Sequence, residues 1–253
     1  MDATNTGVTF VLTSCNRFDL LEPTLMSFLK YNTYPIEKFI IIEDSPYIDK
    51  LNKVLNRVLN KFKDIHFTVL FNNPQIGQLP SIDRAYSYVN TKYIFHCEDD
   101  WVFYRPQFIE KSLSVLNEND SIITVWLREQ SDTNGHPIEP EIYQSKAGDQ
   151  YKLLSTGYMD LFHGFTFNPG LRRIKDYELI RPFSKWEEEG DLSKVYNEYK
   201  FRGAILLDGY VKHIGDHRKI RFILNQKQWV RNIIYFRKLL VSSILKFIKT
   251  IFK

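Results

Sequence analysis

Cysteine is nearly absent: Cys15 and Cys97 are the two in 253 residues. Two thiols make no disulfide framework, which points to a reducing compartment and a fold held by its core. Long apolar runs are missing as well, and no uninterrupted stretch is long enough for a transmembrane helix. Met1-Asp2 leads into polar residues, so the pattern of a secretory leader is not seen. Glycine is scarce, at 11 residues, and none lies in "TSCNRFDLLEP" (13–23). A phosphate-cradling loop after the first strand would need glycine there, which argues against a nucleotidyltransferase. No internal repeat or low-complexity segment occurs. Acids are missing from the tail: residues 225–253 carry Lys227, Arg231, Arg237, Lys238, Lys246, Lys249 and Lys253 with no Asp or Glu. The net charge is +4, so residues 1–224 are left at −3. A nucleic-acid-binding protein more often spreads its cations across the folded body, so no nucleic-acid partner is expected.

What is present is enough apolar matter for a substantial core: 43% hydrophobic and 15% aromatic residues. That composition argues against disorder as the main state. The length suits one large domain with an appendage, here residues 1–224 and 225–253. Short apolar runs alternate with helical patterns: "VTFVLT" (8–13), "FIIIED" (39–44), "HFTVLFN" (66–72), "YIFHCED" (93–99) and "SIITVWL" (121–127) read as strands. Between them, 20–31, 48–62, about 81–89 and 106–117 carry apolar residues at helical spacing. Apolar runs this short, alternating with helices, predict a mostly parallel α/β sheet covered on both faces. Residues 128–150 read as a polar loop, 185–203 as a loop entering a helix, and 204–218 as a strand and its exit.

Ligands of such sheets sit beyond the carboxyl ends of the strands. Polar clusters fall there in series: "TSCNR" (13–17), Glu43-Asp44-Ser45, Asn72-Asn73 and Glu98-Asp99-Asp100. In an extended segment Glu98 and Asp100 point the same way and Asp99 the other. Two carboxylates on one side can hold a hard divalent cation, with substrate phosphate oxygens completing its shell. A solvated acidic turn is the plainer reading of the triplet alone, and its place in the series favours the site.

In order, "VLTSCNR", "IIIEDS", "NNPQIGQLPSIDRAY", "FHCEDDWVF", "GFTFNPGLRR" and "EEEGDLSKVYNEYKFRG" resemble the segments of glycosyltransferase family 2. The resemblance spans roughly residues 8–218 and implies a GT-A fold, a Rossmann-like nucleotide-sugar-binding α/β architecture. It implies an inverting glycosyltransferase that uses a divalent metal, Mn²⁺ or Mg²⁺. The nucleotide-sugar would lie along Thr13, Ser14, Asn16, Arg17, Glu43, Asp44, Asn73, Gly77, Gln78, Asp83 and Asp99, with Glu43 or Asp44 on the base or ribose. Gln78 stands where many relatives carry a basic residue, and Glu98 replaces the more usual Asp. Glu98, Asp100 and His213 would serve the metal, with His217 second to His213. The catalytic base would be Glu189, with Glu188 and Asp191 as close competitors. Acids in the first turn of a helix also favour its positive end without any catalysis. A non-catalytic sugar- or partner-binding protein on the same fold is the alternative from another class.

Trp101, Trp126, Trp186, Tyr158, Phe165 and Phe167 read as an acceptor platform or as core, with core favoured for at least half; both cysteines read as packing. The tail "WVRNIIYFRKLLVSSILKFIKTIFK" (229–253) reads as basic amphipathic helices. Such helices can lie on an anionic membrane surface, beside a lipid-linked or glycan acceptor at the cytoplasmic face. Packing on the body and a homodimer interface are the other readings of the same apolar face.

Overall fold

The structure, a computed structural model, describes residues 7–215. The basic tail and His217 lie outside the described residues. The parallel strands β1 (Val8–Ser14), β2 (Lys38–Glu43), β3 (Phe67–Phe71) and β4 (Tyr93–Glu98) lie in the order β3-β2-β1-β4. The helices α1 (Phe18–Tyr31), α2 (Ile48–Lys61) and α3 (Gln78–Tyr86) connect them in the expected alternation. The central strands read as apolar runs because both faces are covered. Side-chain alternation divides each strand between two cores. Phe10, Leu12, Ile41 and Phe95 pack with Leu21, Leu25 and Phe28 of α1. Val11, Ile40, Ile42 and Ile94 pack on the other face with Ile82, Phe165, Phe167 and Phe183.

The remaining elements are β5 (Trp101–Phe103), α4 (Phe108–Glu118), β6 (Ile122–Trp126), β7 (Tyr143–Gln144), β8 (Gln150–Leu153), β9 (Gly170–Arg173), α5 (Ile174–Glu178), a 3-10 turn at Phe183–Lys185, α6 (Glu189–Glu198), β10 (Arg202–Leu206) and β11 (Val211–His213). Several depart from the sequence reading. The strand beside β4 is β9, running antiparallel, while β6 pairs with β10 in a second sheet ordered β6-β10-β8-β7. The described part of the stretch 204–218, residues 204–215, is not one strand: β10 ends at Leu206, and β11 pairs instead with β5. The loop 128–150 contains β7 and the start of β8. Helix α3 begins at Gln78, three residues before the expected start, because Gly77 turns the chain with φ +97°. The register of β11 on β5 sets His213 opposite Trp101, next to the β4 carboxyl end.

Gly164 and Gly203 allow the segment before β9 to lie directly on β10. A Cβ on Gly203 would stand 2.5 Å from the Gly164 carbonyl oxygen, and Gly164 itself has φ +100°. Trp126 Nε1 donates to that same carbonyl at 2.8 Å. These contacts fix the path of residues 164–168 across the site. Among the described residues no helix is long and apolar enough to cross a membrane.

Candidate active site

The carboxyl ends of β1, β2 and β4 meet at one edge. Thr13 is in register with Ile42 and Glu98, and Ser14 with Glu43. Past Ser14 the chain turns at Asn16, with φ +53°, a conformation asparagine tolerates better than most residues. The Asn16 N–H donates to Glu43 Oε1 at 2.8 Å, and the Cys15 N–H donates to Asp99 Oδ2 at 3.2 Å. Glu43 is fully buried, and its Oε2 has no hydrogen-bond partner. Buried carboxylate oxygens are costly to leave unmatched, so that atom is a candidate acceptor for a ligand's donor. Arg17 spans the acidic triplet. Its Nη2 donates to Asp99, and its Nη1 to Asp100 Oδ2 at 2.7 Å.

The triplet is not extended throughout. Strand β4 ends at Glu98 and the chain bends at Asp99-Asp100, with Asp100 still near enough to Glu98 to raise its carboxyl. Asp99 and Asp100 share Arg17. The three acids then diverge. Burial pushes the Asp99 carboxyl up to about 7, against the pull of Arg17. Asp100 is also penalised by burial, but hydrogen bonds from His213 and Arg17 outweigh it and hold its carboxyl below the ordinary range. Glu98, which accepts from Gln78 Nε2 at 2.9 Å, is raised well above the ordinary range by burial and then by Asp100 and Glu189. One acid is thus held charged and two lean toward the protonated form.

Three residues expected along the nucleotide have other occupations. Asp44 Oδ1 accepts from Asn72 Nδ2 and the Ile76 N–H, and its Oδ2 from the Gly77 N–H at 2.8 Å. It therefore shapes the loop into α3 and leaves Glu43 as the acid with an open oxygen. Asp83 faces the 3-10 turn: Oδ1 accepts from the Tyr177 hydroxyl and the Phe183 N–H, and Oδ2 from the Ser184 N–H. Three donors from the protein meet this carboxylate, so it ties α3 to that turn. Gly77 serves as the N-cap position of α3 and as a donor to Asp44. Asn73 is exposed beside it, whereas its neighbour Asn72 is buried in the loop network.

The acidic stretch before α6 is sorted by the helix itself. Glu188 is the N-cap and its side chain accepts from the Asp191 backbone N–H, while Asp191 Oδ2 accepts from the Glu187 and Glu188 N–H groups. This reciprocal capping box consumes two of the three candidates for the base. Glu189, at the first helical position, turns inward. Its Oε2 accepts the Phe167 N–H at 2.7 Å. Burial raises its carboxyl above the ordinary range, opposed by Phe167, Thr166 and Arg172. It is close enough to Glu98 to raise that carboxyl further. The backbone donor at Phe167 has no signature in sequence, since any residue there supplies an N–H.

The metal expectation is narrowed. Among the described residues no three His, Cys, Asp or Glu side chains converge as a cation cage, so Glu98, Asp100 and His213 do not form a three-ligand set. Asp100 and His213 do pair, with His213 Nε2 at 3.2 Å from Asp100 Oδ2. The other Asp100 oxygen, Oδ1, is buried with no hydrogen-bond partner. A charged carboxylate with an open oxygen beside an imidazole fits Mn²⁺ or Mg²⁺ when phosphate oxygens supply the rest. Cys97 is buried, and burial pushes the Cys15 thiol up to about 12, so both behave as packing. Trp101, Trp126, Phe165 and Phe167 are core, while Trp186 and Tyr158 stay partly accessible.

Comparison with known proteins gives a consistent picture. The model of Glycosyl transferase family 2 matches residues 9–179. No curated protein matches by sequence. Among solved structures, a mannosyltransferase from Pyrobaculum calidifontis in complex with GDP-Man and Mn²⁺ superposes with TM-score 0.57 at 11% identity, covering 79% of this chain and 55% of that one. S. aureus TarS in complex with UDP gives TM-score 0.54 at 13% identity, over 81% and 59%. GalNAc-T7 with UDP, GalNAc and Mn²⁺ gives 0.58 at 11%, over 84% and 44%. The chain thus spans about half the length of these proteins, and at such identities the likeness is one of fold.

Proposed function

The chain belongs to glycosyl transferase family 2, and from that premise we propose that it moves a sugar from a nucleotide-sugar donor to a hydroxyl acceptor, with inversion at the anomeric carbon. The observation that carries this reading is the inward turn of Glu189 toward the β4 end while Glu188 and Asp191 cap the helix. The nucleotide would lie along Thr13, Ser14, Asn16 and Arg17, with the open oxygen of Glu43 on the base or ribose. Asn73, Gly77 and Gln78 would border the donor at the start of α3.

Asp100 and His213 would hold a divalent cation, Mn²⁺ or Mg²⁺, which when bound takes up negative charge on the departing diphosphate. Glu189 takes the proton of the acceptor hydroxyl as its oxygen bonds to the anomeric carbon. The bond from that carbon to the diphosphate oxygen breaks, and the nucleoside diphosphate leaves with the electron pair. A carboxyl raised by burial is better matched to accepting a proton near neutral pH than an ordinary glutamate. Holding both substrates in line supplies much of the remaining acceleration. The acceptor would be a glycan or a lipid-linked saccharide, the second if the basic tail lies on an anionic membrane surface.

The test is a panel of nucleotide-sugars incubated with and without Mn²⁺ or Mg²⁺, scored for nucleoside diphosphate release and for thermal shift. Release with at least one donor and a cation-dependent shift is expected. No release and no shift with any donor would leave a non-catalytic binding module instead. For the tail, flotation with anionic liposomes should separate the full chain from residues 1–224, and equal behaviour would remove the membrane-bound acceptor.

A further inference from the structure

Arg172, in β9, is 2% exposed, and its guanidinium lies against Phe165 and Phe167 at 5.3 and 5.7 Å from the ring centres. Burying a charge is costly unless something nearby uses it. The titratable side chains around it are Tyr86, His96 and Tyr196. Burial first, and then Arg172 itself, push His96 well below its ordinary value, and burial raises both tyrosines. All three are therefore neutral near neutral pH. The negative group that feels this guanidinium is Glu189.

The connection runs through one peptide unit. Arg172 Nη2 donates to the Thr166 carbonyl oxygen at 2.9 Å. The N–H on the other end of that same peptide, that of Phe167, donates to Glu189 Oε2 at 2.7 Å. A cation on the carbonyl polarises the peptide and strengthens its N–H as a donor, and chains of hydrogen bonds in a low-dielectric interior reinforce one another. The carbonyl bond also fixes the peptide plane, and with it the direction of the N–H.

We propose that Arg172 is a positioning residue for the reaction: it acts through the Thr166–Phe167 peptide to orient the Glu189 carboxylate and favour its charged form. This rests on the reading of Glu189 as the base. The charged group that bears on Glu189 is Arg172 from β9; Glu98 at the end of β4 is near enough to be raised by Glu189, while Glu188 and Asp191 on its own helix are turned to the cap. Arg172 therefore opposes burial.

The experiment compares kcat against pH for the full chain and for Arg172→Met, Arg172→Lys and Thr166→Val, at saturating acceptor and with donor KM measured in parallel. In Arg172→Met the acidic limb of the profile moves up by about one pH unit, so kcat below the limb falls about tenfold, while donor KM stays within about twofold. Thr166→Val removes the hydroxyl that bears on Glu189, along with the acceptor of the Asn168 N–H, and shifts the limb the same way by less. Arg172→Lys keeps a cation but loses the planar fork, and falls between the parent and Arg172→Met. A parental limb in a folded Arg172→Met overturns the proposal. If that variant does not fold, parental limbs in both Arg172→Lys and Thr166→Val overturn it. Glu189→Gln is run beside them. Loss of transfer there with unmoved limbs in the others removes this proposal alone, whereas full transfer in Glu189→Gln removes the base assignment and this proposal with it.

Discussion

Glu98, Asp99 and Asp100 are held by partners from distant parts of the chain, whereas Glu187 to Asp191 are held largely by their own backbone. Arg17 from the end of β1 and His213 from β11 separate the first group into a charged Asp100 and two acids that lean toward protonation. In the second group a capping box takes Glu188 and Asp191 and leaves Glu189 to turn inward. The difference teaches that a run of acids is not itself a site. In each run, satisfying some carboxylates inside the protein is what leaves another with an open or inward face.

Substitutions can break this division, beginning with the largest effect. Asp100→Ala removes the one acid held charged beside His213 and should lower transfer by about 10³-fold or more. Melting curves should show a folded protein, and parental rates would dissolve the distinction between Asp100 and its neighbours. Glu189→Gln should cost about 10²–10⁴-fold in kcat, the usual worth of a positioned base. In the parent, kcat should fall as pH drops through the Glu189 value, because the protonated carboxyl cannot accept the acceptor proton. Burial places that limb above the ordinary glutamate value of 4.5. A limb at or below that value would contradict the burial of the base.

Asp99→Asn sharpens the contrast from the other side. It disturbs the hydrogen bonds that Asp99 accepts from Arg17 and the Cys15 N–H while Arg17 keeps Asp100, so denaturant unfolding should show a loss of about 1–3 kcal/mol. The kcat should stay within about tenfold of the parent, since Asp99 is turned to Arg17 and the Cys15 N–H. A collapse of kcat equal to that of Asp100→Ala would place Asp99 among the reacting groups. Asp191→Ala is the mildest. It removes one arm of the capping box and should cost about 1 kcal/mol of stability, with kcat within about threefold. A loss as deep as that of Glu189→Gln would exchange the roles assigned to the two acids.

Much of the first half was legible because its signals are local. Apolar runs of strand length, helical spacing between them and polar residues at the strand ends place Thr13, Glu43 and Glu98 at one edge. The capping box was legible in principle too, as an acid at Glu188 followed three residues later by Asp191. Other features were not. Nothing near Asp83 in sequence announces that its carboxylate meets Phe183 and Ser184 across the fold. Nor does "AILLDGYVKHIGDHR" show that its two halves belong to different sheets, since Leu206 and Val211 are both apolar and both buried.

The parallel α/β half, the edge at which polar residues gather and the family to which the chain belongs can all be read from the sequence, because spacing and order along a chain survive without coordinates. What each acid touches became visible with the fold. Charge state and orientation depend on burial and on partners such as Arg17, His213 and the Thr166–Phe167 peptide, which are far away along the chain and adjacent only once it has folded.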